Sequence, residues 1–282
     1  MTHSVKRLFA KKILRNPYLS NLILKLYPVA TENAFPGLTR SRVDELRQLF
    51  PLTIKRDLKL TRLGSMGDGG YLLEQNLSKE DYCLSLGIGD NFTFDLAISH
   101  YCKEVWMFDH TIDAPQIQGK NVKFFSVGIA ATVQQNFTTI SKILESIPLE
   151  NDIILKIDIE GSEWEVLSGL TSFELVRCKQ IVAEFHNLHR IADFLFFDSV
   201  SKSLNMLNNS HDLINFHVNN WSNIHLVKGV PIPDVVEVTY VRKEHGLQSE
   251  SRLLSLQKDE NRPNNPDLPD FSSNFINLLK IF

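Results

Sequence analysis

The chain has 282 residues, 43% of them hydrophobic, and its formal net charge at pH 7 is −3. This length suits one large domain with appendages or two small ones, and the near-neutral charge predicts no nucleic-acid partner. Because it contains no apolar run of membrane-spanning length and starts without an apolar signal segment, we expect a cytoplasmic protein. Its three scattered cysteines fit a reducing compartment and argue against a disulfide framework or a cysteine-based zinc site.

A basic helical extension is predicted for residues 1–50. Lysines and arginines alternate with apolar residues over residues 1–30, a linker follows at 28–37, and a further short helix is expected at 41–50. A basic amphipathic helix can lie on an anionic membrane surface, which would give a peripheral membrane contact. The alternative, which we favour, is a helix that packs on the main domain or on the second subunit of a homodimer.

The main domain is predicted at residues 51–245, followed by a mostly polar, proline-punctuated tail at 246–282. It opens with a strand-like segment and the glycine-rich stretch Gly64 to Gly70. Four glycines around Asp68 could let the backbone approach a ligand closely. Asp-Gly is also a strong hairpin signal, so this stretch on its own predicts a β-hairpin.

From residue 81 onward, short apolar strands alternate with helical patterns. The alternation predicts βαβ units in a mostly parallel sheet, with the last two strands antiparallel because no helix-length segment separates them. The predicted strands are Tyr82–Leu86, Val105–Asp109, Val122–Gly128, a strand from Ile153, Gln180–His186, Leu213–Val218 and Val235–Val241. The predicted helices are Phe94–Tyr101, Asn136–Ile147, Ser162–Gly169 and Arg190–Leu207.

The stretch that begins at Ile153 ends as a strand–turn–helix joint. Asp158 and Glu160 are two residues apart, which in a strand places both side chains on one face. Ser162 and Glu165 have the spacing of a capping box, so a helix is expected to begin there. Open α/β sheets bind ligands at the carboxyl ends of their strands, so these acids are candidates for a functional site.

A glycine turn, Gly87-x-Gly89, follows the first parallel strand and precedes a helix. Asp109 ends the next strand, where a carboxylate can accept hydrogen bonds from ribose hydroxyls. Phe92 replaces the third glycine of a dinucleotide fingerprint, which disfavours NAD or FAD. S-adenosylmethionine, a nucleoside cofactor without phosphates, fits this pattern better.

Acids and histidines also follow the strands that come later in the chain. Asp158, Glu184 and His186 are expected to meet at one sheet edge. Together they could act as a general base for a hydroxyl acceptor or bind a divalent ion such as Mg²⁺ or Mn²⁺ that lowers the pKa of that hydroxyl. Three further histidines carry no prediction alone: His110, His189 and His217.

Several ordered motifs resemble the FkbM-type S-adenosylmethionine-dependent methyltransferases and their methyltransferase-like branch. The resemblance implies a class I methyltransferase fold and an O-methyltransferase acting on a sugar, as a nucleotide sugar or in a surface glycan. The motifs are Arg62-x-Gly64 with 68–71, and residues 84–91, 156–167, 182–186 and 233–239. The candidate cofactor-binding residues are Asp68, Gly69, Gly70, Tyr71, Gly87, Gly89, Asp95, Asp109 and Gly128.

Two competing functions stay open at this point. One is an NAD-dependent sugar dehydrogenase, against which the missing third glycine argues. The other is a non-catalytic module of the same fold that docks on a membrane or on a glycan-assembly complex through the basic N-terminus.

Overall fold

A computed structural model describes residues 36–51, 58–115, 119–227, 230–243 and 262–267. The basic segment at residues 1–30 lies outside the described residues, as does most of the predicted tail. None of the helices in these described ranges is long and apolar enough to cross a membrane. Helix α1, Pro36–Leu49, begins inside the predicted linker rather than at residue 41, consistent with the tolerance of proline in a first helical turn.

Strands carry most of the described architecture. They are β1 Leu60–Gly64, β2 Gly70–Glu74, β3 Tyr82–Leu86, β4 Glu104–Phe108, β5 Val122–Phe125, β6 Gly128–Ile129, β7 Phe137–Thr138, β8 Ile153–Ile157, β9 Cys178–Phe185, β10 His211–Val218, β11 Ile224–Val227, β12 Val230–Pro233 and β13 Val236–Arg242. The other helices are α2 Thr93–Ser99, α3 Ile140–Leu144, α4 Glu163–Ser168, α5 Ser172–Arg177, a 3₁₀ helix at Leu188–Ala192 and α6 Phe194–Ser210.

The central sheet has seven strands in the order β10-β13-β9-β8-β3-β4-β5. Only β13 runs antiparallel to its neighbours β9 and β10, and the other pairings are parallel. Strand β8 is buried at every position, as expected for a strand covered on both faces. This order confirms the predicted mostly parallel sheet with an antiparallel last strand, and it aligns the carboxyl ends of β3, β4, β8 and β9.

Three two-stranded sheets surround this centre. Strands β1 and β2 pair antiparallel, with Gly64 opposite Gly70, which confirms the predicted glycine-rich hairpin. The β11–β12 hairpin between β10 and β13 was not predicted, and its strands are too short for a clear apolar alternation.

Two predicted helices are wrong in extent. The expected helix from Asn136 to Ile147 shrinks to α3, because Asn136 has a φ of 63° and the next residues form β7. The expected helix from Arg190 to Leu207 is divided at Asp193, whose side chain accepts hydrogen bonds from the first backbone N–H groups of α6.

The predicted capping box at Ser162 is also wrong. Ser162 makes no side-chain cap hydrogen bond at the start of α4. A capping box exists one helix later, where Thr171 and Glu174 bond reciprocally at the start of α5. Glu163, rather than Ser162, organises the turn before α4, as described below.

Candidate active site

A cavity of about 410 Å³ opens at the carboxyl ends of β3, β4 and β8. Eight of the nine candidate cofactor-binding residues line it, the exception being Gly70. A Cβ on Gly70 would stand 2.1 Å from the Ser65 carbonyl oxygen, so this glycine serves the close packing of the hairpin. The cavity therefore forms at the sheet edge where the strand-end motifs predicted a ligand.

The two glycines of the Gly87-x-Gly89 turn differ in what surrounds them. Both have positive φ angles, 76° and 58°. A Cβ on Gly87 would lie 1.7 Å from the Asp158 carbonyl oxygen, whereas a Cβ on Gly89 would meet no atom within 4 Å. Gly87 thus permits close approach of β3 and β8, and Gly89 leaves open space along the cavity wall.

Asp109 holds this turn in place. Its Oδ2 accepts hydrogen bonds from the backbone N–H groups of Ile88 at 2.8 Å and Gly89 at 3.0 Å. Its Oδ1 accepts from the backbone N–H of Thr111 at 2.7 Å and from the Thr111 hydroxyl at 2.6 Å. Burial alone would raise the pKa of Asp109, but these four hydrogen bonds outweigh it and lower the pKa to about 2.

Asp95, in the first turn of α2, brings an unsatisfied acceptor to the same cavity. Its side chain is buried, and its Oδ1 has no hydrogen-bond partner. Burial raises the pKa of this carboxyl, although the charge of Lys156 partly offsets the effect. A buried unpaired acceptor together with the open wall at Gly89 suits a nucleoside-type ligand that carries N–H and O–H donors.

Lys156 lies between this cavity and the acids beyond it, and the sequence reasoning missed it. Its ammonium group donates to the Gly87 carbonyl oxygen and lies 3.4 Å from Asp158 Oδ2. The Tyr71 hydroxyl also donates to Asp158 Oδ2, at 3.0 Å. The available signal was a lysine within a buried apolar strand, two residues before an acid and therefore on the same face.

A fully buried carboxylate, Glu163, organises the next turn. Its Oε1 accepts from the backbone N–H groups of Ile159 at 2.9 Å and Gly161 at 3.0 Å. The same oxygen is 3.1 Å from Nδ1 of His186. Burial would lower the pKa of His186, but the hydrogen bond and charge of Glu163, with the charge of Glu184, raise it to about 9.

The Nε2 atom of His186 faces acids on the side away from Glu163. It lies 3.6 Å from Glu184 Oε1 and 3.5 Å from Glu160 Oε2. Glu160 has a φ of 55° and an 88% exposed side chain, so it does not continue strand β8. The expectation that Asp158 and Glu160 share a strand face is therefore wrong, because the strand ends at Ile157.

The predicted trio of Asp158, Glu184 and His186 is divided between two groups of possible metal ligands. Within each group, the ligand atoms lie within 4.8 Å of one another. One group contains Asp158, Glu160 and His186, and the other contains Asp68, Glu184 and Glu237. Burial and the like charges of Asp158 and Glu237 raise the pKa of Glu184 well above its usual range.

Glu237 of the second group and two asparagines beside that group were missed by sequence reasoning. Asn219 donates to Glu184 at 2.9 Å, and Asn264 donates to both Glu237 and Asp68. Glu237 also lies 3.3 Å from His217 Nδ1, so that histidine does belong to the site region. The signal for Glu237 was an acid between two valines in a strand; the asparagines, in loops, carried none.

The family comparison decides the class of protein. A model of the methyltransferase FkbM domain matches residues 56–204, just over half of the chain. The chain is a member of the FkbM methyltransferase family. It is therefore an S-adenosylmethionine-dependent methyltransferase, and neither a dehydrogenase nor a purely structural module.

Solved structures resemble this FkbM methyltransferase only distantly. The Streptococcus mutans protein SMU.1697c, solved in complex with SAH, is 13% identical with a TM-score of 0.33, over 58% of this chain and 89% of its own. An rRNA methylase from Streptococcus thermophilus is 9% identical with a TM-score of 0.36, over 60% and 90%. Precorrin-6y C5,15-methyltransferase from Geobacter metallireducens is 13% identical with a TM-score of 0.33, over 60% and 82%. No curated protein matches the chain.

Proposed function

We propose that this methyltransferase transfers a methyl group to a hydroxyl oxygen of a neutral sugar bound over Asp158 and Glu184. The observation that carries the proposal is the acidic region that adjoins the donor cavity. Asp68 and Asp158 line that cavity, and Asp68 also belongs to the group with Glu184 and Glu237. Sugar hydroxyls are hydrogen-bond donors, and carboxylates are the side chains that accept such bonds most strongly.

The charge of this region favours a neutral acceptor over a nucleotide sugar. Asp158, Glu184 and Glu237 make this region acidic. The cations beside them are already engaged by protein groups: Lys156 by Gly87 and Asp158, His186 by Glu163, and Arg62 by the Ser65 and Gly67 carbonyl oxygens. A diphosphate would bring further negative charge next to these carboxylates, which costs free energy in a partly buried site. A sugar within a neutral glycan meets no such repulsion.

Glu184 is the residue that we assign as general base. An alcohol is a weak nucleophile at neutral pH and must lose its proton as its oxygen bonds to the methyl carbon. The raised pKa makes the ionised form of Glu184 a stronger base than an ordinary carboxylate, and the positive charge of His186 at 3.6 Å favours that ionised form. His186, with a pKa of about 9, is protonated at neutral pH, so its role becomes that of a cation that orients Glu184.

Asp158 is assigned to hold the acceptor rather than to take its proton. Its Oδ2 is already engaged by the Tyr71 hydroxyl and faces the Lys156 ammonium group. These two contacts fix the carboxylate, so that Oδ1 can receive a hydrogen bond from a neighbouring sugar hydroxyl. The donor supplies a sulfonium-activated methyl group, and the chain's main contribution is alignment of the two reactants.

A divalent ion is the alternative means of activating the hydroxyl. Asp158, Glu160 and His186 offer one imidazole and two carboxylates, a set that Mn²⁺ or Mg²⁺ could use. Binding there would require His186 to lose a proton that its pKa of about 9 retains at neutral pH. Base catalysis by Glu184 is therefore the preferred mechanism, and added Mg²⁺ or Mn²⁺ should leave the rate unchanged.

The test is a methyl-transfer assay on matched neutral oligosaccharides and nucleotide sugars. Glu184→Gln should lower kcat by about 10²- to 10⁴-fold, the usual contribution of a general base, while S-adenosylmethionine affinity stays within about threefold. Glu165→Gln, an exposed acid on α4, is the matched control and should behave as the wild type. Methylation of nucleotide sugars alone, or an unchanged kcat in Glu184→Gln, would contradict the proposal.

Membrane docking by the basic N-terminal segment stays a prediction, as does a homodimer. Co-sedimentation of the full chain with anionic and with neutral liposomes tests the first, because an electrostatic contact should require the anionic lipid and weaken with salt. Sedimentation velocity tests the second.

A further inference from the structure

A cluster of two histidines and an acid lies outside the site described above. His189 is in the 3₁₀ helix, His225 is in β11, and Asp234 immediately follows β12. All three side chains are partly exposed, and one ligand atom from each lies within 4.8 Å of the others. None of the three lines the donor cavity. The β11–β12 hairpin brings them together, with the backbone N–H of Leu188 donating to the Asp234 carbonyl oxygen at 3.1 Å.

The side chains of this cluster lie close enough together to share one metal ion after small rotations. His189 Nδ1 is 2.7 Å from Asp234 Oδ1, and His225 Nε2 is 3.9 Å from Asp234 Oδ2. Zinc binds nitrogen and oxygen ligands at about 2.0–2.1 Å, which puts tetrahedral ligand atoms about 3.3 Å apart. The two observed separations lie on either side of that value, so small side-chain rotations would reach it.

An unpaired nitrogen in the same cluster points to a ligand independently. His225 Nε2 is shielded from solvent and has no hydrogen-bond partner, since 3.9 Å to Asp234 is too long for a hydrogen bond. The His225 ring is stacked on the His189 ring with centroids 4.2 Å apart, which keeps the two imidazoles side by side. Buried polar atoms are normally bonded, and a metal ion would satisfy this one.

We propose that His189, His225 and Asp234 bind one Zn²⁺ ion, with solvent completing its coordination. Two imidazoles and one carboxylate suit zinc, whereas Mg²⁺ and Ca²⁺ prefer sets made of oxygen atoms. The ion would fasten the β11–β12 hairpin to the 3₁₀ helix. That helix begins two residues after His186, so the ion would also stabilise the segment that leaves the acceptor region.

Zn²⁺ titration of the full, metal-stripped chain by calorimetry tests this site. One equivalent should bind, and Co²⁺ in its place should give the visible absorption of a tetrahedral nitrogen–oxygen site. His225→Ala and the near-isosteric Asp234→Asn should each weaken binding by at least about tenfold, as expected for lost ligation. Zn²⁺ should raise the melting temperature of the wild type but not of these variants.

Two controls separate this cluster from other histidines. His100→Ala removes an exposed histidine and should bind Zn²⁺ as the wild type does. His186→Gln removes the histidine of the acidic site and should also retain binding. The proposal is overturned if the wild type binds no stoichiometric Zn²⁺, or if binding survives both His225→Ala and Asp234→Asn, or disappears in His186→Gln alone.

Discussion

Two regions of this methyltransferase place carboxyl groups in opposite surroundings: the glycine turn beside Asp109, called the donor end, and the acidic region that we propose binds the acceptor, called the acceptor end. At the donor end, four hydrogen bonds surround Asp109 and lower its pKa to about 2. At the acceptor end, burial and neighbouring acids raise the pKa of Glu184. A carboxylate bonded by backbone N–H groups is a permanent anion that shapes a loop, whereas one crowded by like charges becomes a base.

The contrast also separates rigid from chemically active parts of the site. Asp109 and Glu163 each have an oxygen bonded to two backbone N–H groups of one turn, so each fixes a loop conformation. Glu184 accepts from the Asn219 side chain and faces His186, so its contacts are with side chains rather than with the backbone N–H groups of a turn. Substitutions at the two ends should therefore differ in which property they change.

The largest effect is expected for Gly87→Ala, which disrupts the glycine turn beside Asp109. A Cβ there would collide with the Asp158 carbonyl oxygen, and the positive φ adds strain, for a combined loss of about 3 to 5 kcal/mol in unfolding free energy. Gly89→Ala is the matched control, because its Cβ meets no atom within 4 Å and only the strain of about 1 kcal/mol remains. Urea denaturation measures both, and equal losses would contradict this account of the turn.

Asp109→Ala should abolish most of the donor binding while sparing the acceptor end. It leaves the N–H groups of Ile88 and Gly89 without their acceptor, and hydrogen bonds to a charged group contribute about 1.5–3 kcal/mol each. We expect S-adenosylmethionine affinity to fall by about 100-fold or more, measured by calorimetry. Asp113→Ala, an exposed acid nearby, should have no effect. Unchanged affinity in Asp109→Ala would remove this carboxylate from the donor site.

At the acceptor end, His186 should make the unfolding free energy depend on pH. The pKa of His186 rises from 6.5 to about 9 on folding, so its contribution is fully present below pH 6.5 and is lost as pH rises through 9. Between pH 6.5 and 9, the unfolding free energy of the wild type should fall by about 2 to 3 kcal/mol more than that of His186→Gln. Denaturant titrations at several pH values measure this difference, with His100→Gln as the control. Parallel pH profiles for wild type and His186→Gln would rule out a charged His186.

Tyr71→Phe should have the smallest effect, because it removes one contact between the two ends. The hydroxyl donates to Asp158 Oδ2 at 3.0 Å, and Lys156 remains beside that oxygen. One hydrogen bond to a charged acceptor contributes about 1.5 kcal/mol at the low end, so we expect a loss of about tenfold in kcat/KM for the acceptor, with donor affinity retained. Steady-state kinetics with each substrate varied in turn checks this. A loss confined to donor affinity would instead place Tyr71 in donor binding alone.

Periodicity and strand-end residues predicted the sheet and the position of the cavity well. Each of the seven central strands was expected within a few residues of its observed bounds, because strands buried on both faces read as apolar runs. The interval from Gly89 to Asp109 predicted a ribose-binding carboxylate at this sheet edge; the structure places Asp109 beside the glycine turn, where it accepts a 3.0 Å hydrogen bond from the Gly89 N–H. Predictions that depend on loops were less successful. The Ser162 capping box and the extent of the helix from Asn136 were wrong, and the β11–β12 hairpin was not predicted.

Local pattern was enough to establish the parallel sheet, the glycine turn beside Asp109 and the family, since these depend on residue types at short, regular spacings. The three-dimensional fold alone placed Asn264 against Glu237 and Asp68, Glu163 under the turn after β8, and His225 beside His189 and Asp234. These contacts join segments distant in sequence, and they set the charge and burial around each acid. Protonation and base strength follow from such surroundings, which residue identity cannot specify.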